Sequence, residues 1–154
     1  MDEAVLLTEV ENSSGVNMQT HSKSEVAVVA LLRATQCYQN ADWISATILA
    51  GAAQQVFRDL CEARGIGTTI DMVSASLGHR TSDVHNLVVG SYNGMKHADR
   101  DPTRHVSVSP AEPQALIVMA ATDMARLNIP YSSAIGEILR FAKSFKPEKL
   151  SWEN

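Results

Sequence analysis

Apolar residues recur at intervals of three and four along most of the chain, which is the spacing of an amphipathic α-helix. From Ser24 this spacing predicts a first helix over residues 24–39, and Asn40 or Asp42 is expected to cap the next one. Further helices are predicted over the following ranges: 41–65, a short one within 66–81 that ends near Gly78, 82–98, 113–128 and 132–145. Five or six helices in this order predict an all-α bundle.

The second of these helices carries the strongest pattern. Its central residues, Ala50 to Ala53, are small, so a neighbouring helix can approach closely and this segment is expected at the centre of the bundle. Gly51 would cost about 1 kcal/mol relative to alanine in an exposed helix, which indicates a compensating close contact. Gly65 is a natural C-terminal stop. One apolar face is predicted, made of Ile44, Ile48, Ala52, Val56, Phe57 and Leu60.

Capping residues and prolines indicate where the later helices begin and end. Ser82 is the expected N-cap of the helix over 82–98. Pro102 and Pro110 forbid a continuous helix beyond it, whereas Pro113 is acceptable in a first turn. Residues 105–109 alternate enough for a short extended piece. Large apolar side chains at helical spacing are expected in the core, among them Trp43, Phe57, Met119 and Met124.

Length and composition fit one folded domain. The 154 residues divide into a predicted flexible arm over 1–22, a helical domain over 23–146 and a polar tail over 147–154. Hydrophobic residues make up 45% and charged residues 19%, which supplies a packed interior and excludes a disordered chain. The formal charge of -4 excludes a broad basic face for coating DNA, while a local basic site is still allowed.

The sequence lacks the signals that are typical of several classes of protein. No apolar run reaches the roughly 18 residues of a membrane span, and the chain opens with two acids, so a soluble, cytoplasmic protein is expected. Cys37 and Cys61 lie in apolar stretches and are expected as buried free thiols. The histidines lack metal-site spacing, so neither a metal nor a cofactor is expected. The GxSxG nucleophile turn and the GxxxxGK[ST] phosphate loop are both absent.

The densest polar cluster spans residues 91–105. Asn93, Lys96 and His97 stand at i, i+3 and i+4, so one helical face is predicted to present an amide, an ammonium and an imidazole together. Such a face suits a phosphate or phosphodiester, because lysine neutralises charge and histidine moves protons near neutral pH. Capping of the helix C-terminus by Lys96 and His97 is the alternative. More charged residues follow directly: Asp99, Arg100, Asp101 and Arg104.

Two segments carry a resemblance to a known family. YQNADWISATILAGAAQQVFRDL, followed some 35 residues later by YNGMKHADRDP, resembles a group of small bacterial proteins with an LAGAAEEIL-like helix and a later RNALKH-like segment. That group is similar to the HEPN superfamily (higher eukaryotes and prokaryotes nucleotide-binding). The resemblance covers roughly residues 24–127. It implies a compact helical domain that commonly forms homodimers.

HEPN ribonucleases cleave RNA without metal, using an arginine, an adjacent polar residue and a histidine. Carried over by position, the polar residue is Asn93 and the histidine is His97, while Tyr92 stands at the arginine position. The resemblance therefore implies a site without its bidentate phosphate clamp, unless Lys96 or Arg100 supplies the charge. A second departure is Gln54–Gln55, where relatives carry acids. Arg100 and His105 also satisfy the bare spacing, but Pro102 breaks the helix between them.

Three functions are compatible with these residues. The first is an RNA- or nucleotide-binding domain with weak or no catalysis, in which Asn93 and His97 act beside phosphate-binding Lys96 and Arg100. The second is an active metal-independent ribonuclease with His97 as general base or acid. The third is a helical dimerisation or adaptor module, and a protein partner of the toxin–antitoxin type is a further expectation. In that third case Asn93 and His97 would bond to backbone or to acids of the following loop. Residues with a structural or modulating role are Tyr92, Asp99 and Asp101.

Overall fold

A computed structural model describes residues 18–145, and these residues form an all-α bundle of six helices. The helices are α1 (Lys23–Gln39), α2 (Trp43–Ala63), α3 (Thr69–Leu77), α4 (Thr81–Lys96), α5 (Ala111–Arg126) and α6 (Ser133–Ser144). The predicted fold class is confirmed. The predicted tail, and the predicted arm up to residue 17, lie outside the described residues. None of the helices described is long and apolar enough to cross a membrane.

Short polar residues set most of the helix starts. Ser22 and Glu25 form a reciprocal capping box at the start of α1, with N–H to oxygen distances of 3.1 and 2.8 Å. Asp42 caps α2 by accepting from the N–H of Ser45 at 3.0 Å, whereas Asn40 ends α1. Gly78 stops α3 in the left-handed conformation, as predicted. The hydroxyl of Ser22 and the carboxylate of Asp42 each satisfy an N–H group that the first helical turn leaves without a partner.

One local prediction about α4 was wrong. Ser82 is not the N-cap, because α4 already begins at Thr81 and Arg80 takes the cap position without a side-chain hydrogen bond. The guanidinium of Arg80 instead pairs with Asp83 at 3.0 Å, so the first turn is stabilised by an acid near its positive end. Residues 105–109 pair with no strand in the described chain and belong to the irregular segment between α4 and α5.

Helix α2 lies at the centre of the bundle, in contact with α1, α4 and α5. The predicted apolar face is buried only in part, because Phe57 is inaccessible whereas Ile44 and Ile48 are 60% and 43% exposed. The helix instead buries a face of mostly small side chains, which lets its neighbours approach the α2 backbone. That buried face consists of Ala46, Thr47, Ala50, Gly51, Ala53, Gln54, Phe57 and Cys61.

The core contains the sulfur and aromatic residues expected there. Met119 and Met124 are buried, and Phe57 is completely inaccessible. Trp43 is half-buried and packs edge-on against Tyr38, with ring centroids 4.8 Å apart. The remaining fully buried apolar side chains of large volume are Leu31, Ile70, Leu116, Ile117 and Ile138. The two cysteines form no disulfide; Cys61 is buried, as expected, and Cys37 is half-buried.

A buried carboxylate joins α3 to α5. Asp123 is fully buried and accepts from the backbone N–H of Thr69 at 2.7 Å and from its hydroxyl at 2.6 Å. These two bonds satisfy the start of α3, and they offset part of the cost of burying a charge. Since α3 packs on α4, this anchor also supports the helix that carries Tyr92, Asn93 and Lys96 of the predicted site.

Gly51 provides the close contact between α2 and α4. A Cβ atom at this position would lie within 2.8 Å of three ring atoms of Tyr92, closer than carbon atoms pack. The ring of Tyr92 therefore lies directly against the α2 backbone, in space that only glycine leaves open. The predicted compensating contact at Gly51 is confirmed, and the partner that makes it is Tyr92.

Gly51→Ala is expected to lower the free energy of unfolding by about 1–3 kcal/mol, because the added methyl group must displace the Tyr92 ring. Gly90→Ala is the matched control. It lies within α4, and a methyl group added there would meet no atom within 4 Å, so the better helix propensity should raise stability by up to about 1 kcal/mol. Urea denaturation measures both changes. Equal stability of Gly51→Ala and wild type would contradict the seating of Tyr92 on Gly51.

Candidate functional site

The end of α4 is the centre of the candidate site. The helix ends at Lys96, and His97 follows as C-cap with φ −113° and ψ 63°, its N–H bonded to the carbonyl of Asn93 at 3.2 Å. The chain then turns and passes back along the helix, so that Val106 lies near Gly94. One cavity lies between α4 and this returning segment, and a second lies between α4 and α2.

The larger cavity, of about 460 Å³, is lined by most of the predicted site residues. Asn93 and His97 come from α4 and its cap, and the loop contributes Arg100. Beside them lie Asp101, Arg104 and His105, together with small and apolar residues. The loop thus brings Arg100 and His105 to the same cavity even though Pro102 prevents them from sharing a helix. Arg100 and His105 come together because of the path of the loop, not because of their spacing along a helix.

The charges around the larger cavity favour an anion. Within the described part of the chain, neither Arg100 nor Arg104 forms an ion pair, and the Asn93 side chain forms no hydrogen bond. The carboxylate of Asp101 accepts from the hydroxyl of Thr103 at 3.4 Å. Two guanidinium groups therefore face one carboxylate, and their N–H donors remain available to a ligand.

Asp99 lies beside the cavity and outside its lining. Its carboxylate oxygen is 3.8 Å from Nδ1 of His97, and its side chain is 81% exposed. At this distance and exposure the pair is a weak surface interaction. Asp99 therefore contacts the imidazole of His97 only weakly, and its modulating role stays a prediction.

Lys96 points to the smaller cavity, which has a volume of about 80 Å³. Its ammonium lies 4.6 Å from the ring centroid of Tyr92 and 3.5 Å from Oε1 of Gln55 on α2. Asn93 lines both cavities, while His97 lines only the larger one. The three residues predicted to share one helical face are thus divided, because Lys96 reaches across Tyr92 and His97 leaves the helical path. Lys96 bonds to Gln55 rather than to a carbonyl of α4, so it does not act as the cap.

An arginine–histidine pair in the smaller cavity was missed by the sequence reasoning. Arg58 on α2 donates a short hydrogen bond from Nη1 to Nε2 of His85 on α4. A guanidinium has donors only, so Nε2 must accept and the imidazole is neutral with its proton on Nδ1. Burial and the neighbouring charge of Arg58 hold the pKa of His85 below its ordinary value. The two residues are 27 positions apart on different helices, and no local spacing signals their contact.

The smaller cavity contains buried donors that have no partner. Gln54 is 1% exposed, and its Nε2 forms no hydrogen bond among the described residues; the same holds for Nε of Arg58. The guanidinium of Arg58 also meets two exposed acids: its Nη2 lies 3.3 Å from Asp59, and its Nε lies 3.7 Å from Glu62. Neither acid lines the cavity. Unpaired buried N–H groups are uncommon in folded proteins and commonly mark a place where a water or ligand binds.

Both departures from the HEPN-like pattern lie in the smaller cavity. Tyr92 stands at the arginine position and Gln54–Gln55 at the acidic positions, and all three line the gap between α2 and α4. The ring of Tyr92 lies against Gly51 in this gap, beside the two neutral amides. Groups of three or more histidine, cysteine or acidic residues that could hold a metal ion do not occur among the described residues.

Acidification is expected to destabilise the wild type more than His85→Gln. Because the pKa of His85 is lowered in the folded state, the unfolded state binds the proton more readily, so this stabilisation is present above pH 6.5 and is lost as pH falls through the folded pKa. Glutamine retains an oxygen that accepts from Arg58 and does not titrate. Urea denaturation from about pH 7.5 to about pH 5 gives the comparison, with the exposed His79→Gln as a control that keeps the wild-type slope. Parallel curves for wild type and His85→Gln would contradict the expectation.

The function of the two cavities is inferred from the residues that line them. No family model, no curated protein and no solved structure matches this chain. The observations that bear on function are therefore the free guanidinium groups of the larger cavity and the unpaired donors of the smaller one.

Proposed function

We propose that this chain binds the phosphate groups of RNA or of a nucleotide in the larger cavity, with weak or no catalysis. The observation that carries the proposal is the pair Arg100 and Arg104, which line one cavity without an ion-pair partner in the described chain. Guanidinium groups match phosphate oxygens in a bidentate geometry, and each charge-assisted bond is stronger than a neutral one. The HEPN-like resemblance supports the same ligand class.

The other lining residues fit a ribonucleotide. Asn93 has a free amide that can donate to a phosphate oxygen, and His97 offers a further N–H. Asp101 repels phosphate but accepts hydrogen bonds, so it suits a sugar hydroxyl. The 2′-hydroxyl distinguishes RNA from DNA at a given site, and a carboxylate beside the guanidinium groups gives the cavity a preference for ribose.

The double variant Arg100→Ala/Arg104→Ala is expected to weaken binding of a short single-stranded RNA at least tenfold, because each removed arginine takes a charge-assisted contact worth about 1.5–3 kcal/mol. The salt dependence should fall by about one unit of slope for each lost phosphate contact. Fluorescence anisotropy at about 50 and about 200 mM salt measures both. Arg33→Ala/Arg140→Ala is the control, since it removes the same charge from α1 and α6. Equal losses in the two double variants would refute a specific site and indicate general charge attraction.

A second candidate function is metal-independent cleavage of RNA. The observation that favours it is that His97 and His105 line the same cavity as the two arginines. One imidazole would take the proton of the 2′-hydroxyl, whose oxygen attacks phosphorus, and the other would give a proton to the departing 5′-oxygen. The products are a 2′,3′-cyclic phosphate and a 5′-hydroxyl end. Arg100 and Arg104 would stabilise the added negative charge of the transition state.

Cleavage in the presence of EDTA is expected to fall by about 10²–10⁴-fold in His97→Gln and in His105→Gln, which is the usual contribution of a general acid or base. Labelled RNA incubated with purified protein and resolved on a gel gives the rates and the end groups. His79→Gln is the control for loss of an exposed histidine. Retention of RNA by the wild type without cleavage products would leave binding as the function and exclude the ribonuclease.

A homodimer is part of the proposal. Exposed apolar side chains on α1 and α2 support it, including Val26 at 55%, Val29 at 59% and Ile44 at 60% exposure. Isolated exposed apolar side chains are ordinary, but several on two adjacent helices are typical of a surface that meets another chain. The cytoplasm, where RNA and nucleotides are abundant, is the compartment that fits this function.

A further inference from the structure

We infer that the smaller cavity, between α2 and α4, is a separate site for one phosphate-sized oxyanion. Its donors are the buried amide of Gln54, the guanidinium of Arg58 and the ammonium of Lys96, all of which line it. None of these residues lines the larger cavity, so the inference does not rest on the proposed function. The two sites meet only at Asn93, which lines both.

The buried amide of Gln54 is the strongest indication of a ligand. Its Nε2 is inaccessible to solvent and has no acceptor within hydrogen-bond distance among the described residues. Nε of Arg58 also forms no hydrogen bond, but it lies 3.7 Å from the carboxylate of Glu62. Native proteins rarely retain a buried donor without a partner. The N–H group of Gln54 offers only hydrogen to a ligand, so its partner must be an acceptor. An oxyanion satisfies several donors at once with its separate oxygens.

The charges of the lining point the same way. Arg58 and Lys96 bring two positive groups, and no carboxylate belongs to the lining. Gln54 and Gln55 are neutral at positions where acids would have cancelled this charge. Besides burial, the positive charge of Arg58 lowers the pKa of His85, because it opposes a proton on the imidazole. An anion between α2 and α4 would offset that repulsion.

The size of the cavity limits the ligand. About 80 Å³ holds two or three waters, at roughly 30 Å³ each, or a single phosphate group, but not a nucleobase. Tyr92 and Val89 form most of the apolar part of the lining. The same chemistry is offered by free orthophosphate and by the terminal phosphate of a nucleic-acid strand.

The test uses inorganic phosphate and the full chain with Arg100→Ala/Arg104→Ala as the parent, so that the larger cavity cannot contribute. At constant ionic strength and a pH of about 7.5, phosphate replacing chloride is expected to raise the melting temperature of this parent, because a ligand of the folded state stabilises it. Gln54→Met and Lys96→Met in the same background should each reduce the affinity measured by calorimetry at least tenfold. Lys96→Arg should retain phosphate binding.

The outcomes separate this site from the proposed function. A phosphate response that is lost in both Gln54→Met and Lys96→Met supports the inference. A response in the wild type that disappears in the parent assigns the anion to the larger cavity and overturns it. Absence of any response, or a response that survives both substitutions, also overturns it. Lys96 is exposed, so its substitution should leave the fold intact even if Gln54→Met does not fold, which circular dichroism checks.

A competition experiment identifies the source of the phosphate group. A short RNA with a 5′-phosphate and the same RNA with a 5′-hydroxyl are added to the phosphate-loaded parent. Displacement by the phosphorylated strand alone supports the site as a pocket for a strand end. Displacement by neither strand supports it as a site for free phosphate.

Discussion

The position of α4 on the bundle depends on one close contact, the ring of Tyr92 against the backbone of Gly51. No side chain fits between them, so the contact needs a glycine on α2 directly opposite a flat ring on α4. With α4 held in this way, residues on its two sides face different neighbours. One side meets the loop that follows the helix, and the other meets the polar end of α2. The two cavities are a consequence of this seating.

The formal charge of the chain is negative, yet four positive side chains lie around this one helix. Arg100 and Arg104 lie on the loop side, and Arg58 and Lys96 lie on the α2 side. The acids near Arg58 stay outside the smaller cavity, and inside it Nε2 of Gln54 has no partner among the described residues. Packing of small residues around α2 supplies the stability that lets the protein retain such unsatisfied groups. A phosphate-bearing ligand is the chemistry that both sets of donors have in common.

The residues at which the chain departs from the HEPN-like pattern lie together in this arrangement. Tyr92 and Gln54–Gln55, which depart from the expected pattern, are neighbours in space although they lie far apart in sequence. Between α2 and α4 they form an aromatic contact on Gly51 and a hydrogen bond from Lys96 to Gln55. Asn93 and His97, which follow the pattern, face the other cavity, where Arg100 and Arg104 supply guanidinium groups.

The sequence by itself determined the all-α class, the approximate limits of the helices, the stop at Gly78 and the close contact at Gly51. These follow from local causes: periodicity, short polar caps and the lack of a side chain on glycine. It misjudged the buried face of α2, because the size of a side chain does not show how closely neighbouring helices approach. It also joined Lys96 to His97 and missed Arg58 with His85. Only the tertiary structure decided those groupings, because they depend on the seating of α4 and on the path of a loop, neither of which is encoded in residue spacing.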